Sequence, residues 1–192
     1  MKKITLLALA VFFCAAAANA ESRFGVGLRA GPSVFSQEVF EADVDQEVGP
    51  VVAGDLLYLV NNWFAFGLSA EWETHSYQAG DLDVADNWTV SVYPFAQFRG
   101  PYSSYVFLGA GYNFNSFDLD GPEELEVDDS LALKAGFGWD IFVSDNIALN
   151  IELGWKYNRG DMDLVAADGT TTFVDDLNMS VITALFGVRY YF

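Results

Sequence analysis

Ile147-Ala148-Leu149-Asn150-Ile151-Glu152-Leu153-Gly154-Trp155-Lys156-Tyr157 alternates without a break. Ile147, Leu149, Ile151, Leu153, Trp155 and Tyr157 are bulky and apolar or aromatic; the residues between them are small, polar or charged. A β-strand sends successive side chains to opposite faces, so this stretch is a strand with one greasy face and one slim, polar face. Its length matches the roughly 9–11 residues that a tilted strand needs to cross a bilayer.

The same pattern recurs on both sides of it. Leu131, Leu133, Ala135, Phe137, Trp139 and Ile141 alternate with Ala132, Lys134, Gly136, Gly138 and Asp140. Phe64, Phe66, Leu68, Ala70 and Trp72 alternate with Ala65, Gly67, Ser69, Glu71 and Glu73. Read this way, the chain predicts eight strands: Ser22–Gly31, Gly49–Val60, Trp63–Glu73, Asn87–Phe98, Ser104–Phe114, Ser130–Val143, Ile147–Tyr157 and Leu177–Phe192.

The connections alternate in length. Asn61-Asn62, Arg99-Gly100-Pro101-Tyr102-Ser103 and Ser144-Asp145-Asn146 are tight turns. Pro32–Val48, Thr74–Asp86, Asn115–Asp129 and Asn158–Asp176 are long and polar. An antiparallel meander with short turns at one end and long connections at the other is the plan of an eight-stranded, up-and-down transmembrane β-barrel. An even strand number puts both mature termini on the short-turn side, the periplasm.

Charge decides which face is inside. Glycine and serine dominate the slim face, at Gly25, Gly27, Gly67, Ser69, Gly109, Gly111, Gly136, Gly138, Gly154 and Gly187, which suits a narrow lumen. A soluble barrel would need long charged side chains on its exterior, and neither face supplies them. The bulky face therefore meets lipid. Its aromatics gather at two heights, with Trp72, Trp88, Tyr112, Phe114, Trp155 and Tyr157 near the long connections. Tyr58, Phe64, Phe98, Trp139, Tyr190 and Phe192 lie near the turns, as expected of two interfacial girdles. Pro94 falls mid-strand with lipid-facing parity, where a closed barrel has no edge to hide a missing N–H, so a bulge is expected there.

The first twenty residues read differently. Lys2 and Lys3 precede an apolar run from Ile4 to Ala18 that ends Ala18-Asn19-Ala20, the small-x-small pattern cut by signal peptidase. Residues 1–20 are thus expected to be a cleaved signal peptide and 21–192 the barrel. Cys14 follows Phe13, whereas a lipid attachment site requires a small residue there. Cleavage after Ala20 removes this single cysteine, so disulfide and thiol chemistry drop out. A Gram-negative outer membrane is the expected destination.

The 192-residue chain carries 27 acidic against 9 basic residues, a formal net charge of −18, which disfavours nucleic acid as a partner. An aromatic content of 16% is too high for a disordered acidic chain.

The last strand alternates Ile182, Ala184, Phe186, Val188, Tyr190 and Phe192 to a terminal phenylalanine, in the ending Arg189-Tyr190-Tyr191-Phe192. Phe186, Val188, Tyr190 and Phe192 resemble the C-terminal signal read by the barrel-assembly machinery. The chain after Ala20 resembles the small eight-stranded outer-membrane barrel superfamily that includes OmpA membrane domains, OmpX-like proteins and opacity-type adhesins. Gly25-Val26-Gly27 and Gly109-Ala110-Gly111 fit that superfamily. The resemblance implies the barrel fold, the outer membrane, and the assembly machinery with periplasmic chaperones as partners during biogenesis. It implies no particular activity. No peptidoglycan-binding domain follows Phe192, so an anchoring role of the full OmpA kind is not expected.

Parity sends Arg29, Asp55, Glu71, Lys134, Asp140, Glu152, Lys156 and Arg189 into the lumen. With both signs present in a narrow interior, these groups are expected to pair, Glu152 with Lys134 or Arg189, and to fill the barrel. The same charges lining a narrow ion-conducting pore are the alternative. Most of the acidic residues lie in the long connections. They are Glu38, Glu41, Asp43, Asp45 and Glu47 in the first and Asp81, Asp83 and Asp86 in the second. Asp118, Asp120, Glu123, Glu124, Glu126, Asp128 and Asp129 lie in the third, and Asp161, Asp163, Asp168, Asp175 and Asp176 in the fourth. These describe a solvated outer surface. A sharper reading is weak binding of Ca²⁺ or Mg²⁺, which also bridge lipopolysaccharide phosphates.

Catalysis is the third reading, since small barrels that modify lipid A use His and Ser. The single histidine, His75, is followed by Ser76, and adjacent strand residues point to opposite faces, so the pair does not form a nucleophile and base. The sequence therefore predicts a non-enzymatic, monomeric outer-membrane barrel without cofactors, in a structural or surface-interaction role.

Overall fold

The computed structural model describes residues 23–36, 45–46, 48–79, 82–119, 124–165 and 171–192. Among them the backbone forms twelve strands: β1 (Arg23–Phe35), β2 (Asp45–Gln46), β3 (Gly49–Leu59), β4 (Phe64–Ala79), β5 (Leu82–Arg99), β6 (Ser104–Leu119), β7 (Glu124–Val127), β8 (Ser130–Phe142), β9 (Ile147–Tyr157), β10 (Arg159–Val165), β11 (Thr171–Asn178) and β12 (Val181–Tyr191). Eight of these close a barrel in the order β1-β3-β4-β5-β6-β8-β9-β12, every neighbour antiparallel, and β12 returns to β1. The closing ladder runs from Gly25↔Tyr191 to Phe35↔Val181, and the Phe192 amide donates to the Phe24 carbonyl at 2.8 Å. Closure satisfies the backbone groups that an open edge would expose to lipid.

The tight turns are held by their own side chains. Asn61 Oδ1 accepts from the Trp63 and Phe64 amides at 3.0 and 2.8 Å. At Pro101–Ser103 a short 3₁₀ turn places Tyr102 and Ser103 in the left-handed region, at φ 57° and 59°. Ser144 Oγ accepts from the Asn146 and Ile147 amides.

The opposite end departs from expectation. Among the described residues, the segments read as long connections are largely strand. β4 and β5 stay paired to Ala79↔Leu82, β6 runs on to Leu119, and Asn158–Asp176 contains β10 and most of β11. β7, β10 and β11 form a separate three-stranded sheet. These extensions carry polar residues on both faces, as at Thr74, His75 and Ser76, so the alternation that marks a membrane strand is lost. The predicted last strand, Leu177–Phe192, is broken at Met179–Ser180 between β11 and β12.

Pro94 also corrects the reading: there is no bulge. The β5–β6 ladder lapses at Tyr93 and Pro94 and resumes in unchanged register, from Val92↔Tyr112 to Phe95↔Gly109, while Leu68↔Pro94 holds on the β4 side. The barrel tolerates the missing donor on one flank because the other flank keeps the strand in place.

The outer surface of the barrel is apolar. Leu28, Leu56, Leu108, Phe186 and Val188 are exposed, Leu28 to 66% and Leu108 to 62%, forming a continuous apolar exterior that water would not tolerate. Tyr58, expected in the girdle, is buried because Phe24 and Phe66 pack against its ring at 5.0 and 5.3 Å.

The lumen is less slim than the glycine pattern implied. Tyr93, Phe95, Tyr105, Phe107 and Tyr191 all point inward and are buried. Glycines make room for them. A Cβ at Gly109 would lie 2.6 Å from the Tyr93 ring, at Gly67 2.7 Å from Phe95 and at Gly136 2.7 Å from Phe107. Leu57, Ala65, Tyr93, Phe95, Ala148 and Tyr191 pack together as an apolar cluster inside the barrel.

Candidate functional site

The charged groups of the interior sit on seven barrel strands and meet across the lumen. Arg29 (β1) contacts the Glu152 carboxylate (β9) and lies with Nε 3.1 Å from Asp55 Oδ1 (β3). Arg189 (β12) donates from Nε to Asp55 Oδ2 at 3.1 Å and from Nη1 to both Asp140 oxygens (β8) at 2.9 and 3.0 Å. Lys134 (β8) pairs with Glu71 (β4) and lies 3.4 Å from Glu152. Lys156 (β9) donates to Glu73 (β4) at 2.5 Å and to Ser91 Oγ at 3.0 Å. Lys134 and Lys156 are direct cross-strand neighbours, and Glu71 and Glu73 are two residues apart on one strand face, so the two pairs stack.

All eight residues singled out by parity are therefore inside, and each has an oppositely charged partner. Glu152 pairs with Arg29 and Lys134, while Arg189 turns to Asp55 and Asp140 instead.

Sequence reading missed two charges. Glu73 shares the parity of Glu71 and belongs to the same pattern. Arg99 was assigned to a turn, yet β5 continues through it and its guanidinium donates to Asp140 at 2.9 Å. With these two, the buried lumen holds as many carboxylates (Asp55, Glu71, Glu73, Asp140, Glu152) as cations (Arg29, Arg99, Lys134, Lys156, Arg189) among the described residues.

Uncharged groups complete the lattice. The Tyr191 hydroxyl donates to Asp140 at 2.6 Å, Tyr93 to Glu71 at 2.5 Å and Tyr105 to Glu152 at 3.1 Å. Asn150 Nδ2 donates to Asp140 at 2.7 Å and to Tyr105 at 2.8 Å. Lys134 also lies 5.9 Å from the Tyr93 ring centroid and 5.8 Å from that of Phe107, a cation–π arrangement. Toward the long-connection end the network becomes neutral. Ser91 donates to Asn113 at 2.7 Å, Asn113 to Ser130 at 3.1 Å, Ser130 to Asn158 at 2.5 Å and Asn158 to Asn115 at 2.8 Å. A cavity of about 10 Å³ beside Arg29, Gln97, Tyr105 and Glu152 has room for about one water molecule.

His75 and Ser76 point apart, as parity requires. Ser76 donates to Asp86 at 2.7 Å, while the His75 ring is buried, 4.3 Å from Phe35. Its Nε2 lies 2.9 Å from the Ser33 hydroxyl, a partner 42 residues away that no local motif signals. Ser33 is fully buried, with its hydroxyl 3.4 Å from the Gly49 carbonyl.

The terminal strand carries Phe186, Val188, Tyr190 and Phe192 on the outer face, each exposed, with the Tyr190 and Phe192 rings edge-on at 5.0 Å. Several acidic positions, among them Glu38, Glu41, Asp43, Glu47, Asp81, Asp120, Glu123 and Asp168, lie outside the described residues. Within the described residues no three His, Cys, Asp or Glu side chains converge as metal ligands. The leader expected over residues 1–20 also lies outside them.

A closed antiparallel barrel with an apolar exterior and a charged interior is a transmembrane β-barrel. The chain belongs to the outer membrane protein beta-barrel domain family, which it matches over residues 5–192. It is similar in fold to the outer membrane protein OprG from Pseudomonas aeruginosa, at 14% identity, covering 90% of this chain and 96% of that one with a TM-score of 0.66. A major outer membrane protein from Thermus thermophilus aligns at 14% identity over 89% of this chain and 99% of that one, TM-score 0.58. Outer Membrane Protein W from E. coli aligns at 13% identity over 90% and 98%, TM-score 0.52. No curated relative matches the chain. The protein is an outer-membrane β-barrel.

Proposed function

We propose that this barrel serves a structural or surface-interaction role and that its lumen is plugged rather than conducting. The supporting observation is a charge-balanced lattice, an unbroken chain of ion pairs from Arg99 and Asp140 to Lys134 and Glu71 with the Lys156–Glu73 pair stacked beside it. Each ion passing through would have to separate pairs whose partners are buried in a low-dielectric wall, leaving uncompensated charge. Residues 1–20 act as the cleaved leader, and both mature termini face the periplasm. The strand extensions and the acidic connections then stand outside the cell. There they meet lipopolysaccharide through divalent cations shared with its phosphates rather than held in a site built by the protein alone.

Phe186, Val188, Tyr190 and Phe192 present the signal to the barrel-assembly machinery, after periplasmic chaperones have carried the chain. The protein works as a monomer, without cofactor, nucleic-acid partner or catalytic activity. The test is efflux of K⁺ and swelling in small sugars of liposomes carrying the refolded protein. The proposal expects both to match protein-free liposomes. Rapid efflux would replace it with the narrow-pore reading. Lipid A of unchanged mass in cells with and without the protein is expected, and a mass shift would reinstate an enzyme.

A further inference from the structure

β1 and β12 are the terminal strands, and the ladder between them closes the barrel. Its central pairs are Gly27↔Arg189 and Arg29↔Gly187, so each arginine lies across from a glycine of the other terminal strand. On the far side of β1, Gly27 is also paired with Asp55 of β3. The glycines are needed there. A Cβ at Gly27 would lie 2.6 Å from Asp55 Oδ1, and one at Gly187 would lie 2.7 Å from Arg29 Cγ. Into that space the Asp55 carboxylate reaches over β1, with Oδ1 3.1 Å from Arg29 Nε and Oδ2 3.1 Å from Arg189 Nε. One carboxylate, fully buried, thus holds one cation from each strand of the closing seam.

We propose that Asp55 is a clasp that sets the register of the last strand and holds the seam shut. The hydrophobic pattern alone does not fix that register. A slip of two residues keeps every β12 side chain on its face, because the strand period is two. The outward residues Ile182, Ala184, Phe186, Val188 and Tyr190 would remain outward. Charge distinguishes the two states. A two-residue slip moves the Arg189 guanidinium by about 7 Å along the strand and puts Gly187 or Tyr191 across from Gly27. Asp55 and Arg189 are then buried without each other. β3 follows β1 in the chain and is paired with it locally, so Asp55 and Arg29 are in place before β12 arrives to dock. This role does not depend on whether the lumen conducts.

The test is amide hydrogen exchange on the full-length barrel refolded in lipid, comparing Asp55→Asn with Glu73→Gln. Glu73 is equally buried and pairs with Lys156 on β9, with no ion pair to either terminal strand among the described residues. Asp55→Asn is expected to speed exchange along the β1–β12 ladder by on the order of tenfold or more while leaving β4–β5 unchanged. Gly27→Ala keeps the carboxylate but displaces it, and is expected to open the same seam. Glu73→Gln is expected to leave it protected. Unchanged seam protection in Gly27→Ala, equal loosening of β4–β5 in Asp55→Asn, or seam opening by Glu73→Gln overturns the clasp. Where Asp55→Asn fails to assemble, the Gly27→Ala result decides by the same criterion.

Discussion

Removing the Glu152 carboxylate probes the lattice at the acid that joins Arg29 to Lys134. Glu152 faces Arg29, sits 3.4 Å from Lys134 and accepts the Tyr105 hydroxyl at 3.1 Å, with a side chain only 3% exposed. Glu152→Ala leaves two buried cations short of a partner and is expected to destabilise the barrel by about 3–5 kcal/mol. Arg29→Ala costs a comparable amount alone, since it takes the nearest cation from Glu152 and leaves half of the Asp55 carboxylate unpaired. Together the two changes restore charge balance, because Asp55 keeps Arg189 and Lys134 keeps Glu71. The double variant should therefore lose less than the sum by about 1–3 kcal/mol. Arg189, which contacts Asp55 and Asp140 rather than Glu152, should couple to Glu152 more weakly. The assay is reversible urea unfolding in lipid vesicles, read by tryptophan fluorescence and by the band shift between boiled and unboiled samples. Losses that add to within about 0.5 kcal/mol for the Glu152–Arg29 pair would refute an interacting lattice.

Three further outcomes follow from the same geometry. Unboiled protein should migrate apart from boiled protein on SDS gels; a periplasmic, soluble species without that shift would contradict the membrane barrel. Deleting Phe192 should lower the amount of heat-modifiable form in purified outer membranes, while Phe192→Tyr, which keeps an interfacial ring, should not; normal yield from the deletion removes its role as an assembly signal. Gly109→Val should destabilise by about 1–3 kcal/mol through overpacking, since even a Cβ there lies 2.6 Å from the Tyr93 ring, and an unchanged urea midpoint would show that Tyr93 is free to move.

The membrane-spanning part of each strand was legible because lipid and lumen impose opposite demands on alternate residues. Ile147–Tyr157 shows this without exception, and its predicted limits are those of β9. The extensions were not legible. Thr74, His75 and Ser76 are strand residues polar on both faces, and read as loop for that reason. Lumen charges followed from parity alone, but their partners did not, because Arg29 and Glu152 are 123 residues apart and nothing local chooses Arg29 over Arg189. The inward aromatics were hidden by the opposite error. Tyr93 and Phe95 share parity with Ser91 and Gln97, yet bulk was read as a mark of the lipid face. The glycines opposite them, Gly109 and Gly67, were the available signal, since a lumen lined with so much empty space has to be filled from the facing strands.

Single-channel recording in planar bilayers shows whether balanced ion pairs plug the lumen. The wild-type barrel is expected to pass no stepwise current, and discrete openings are expected when Arg29, Glu152 and Arg189 are together replaced by alanine, which empties the centre of the lattice. Stepwise conductance from the wild-type protein, at the same level as from that variant, would contradict it.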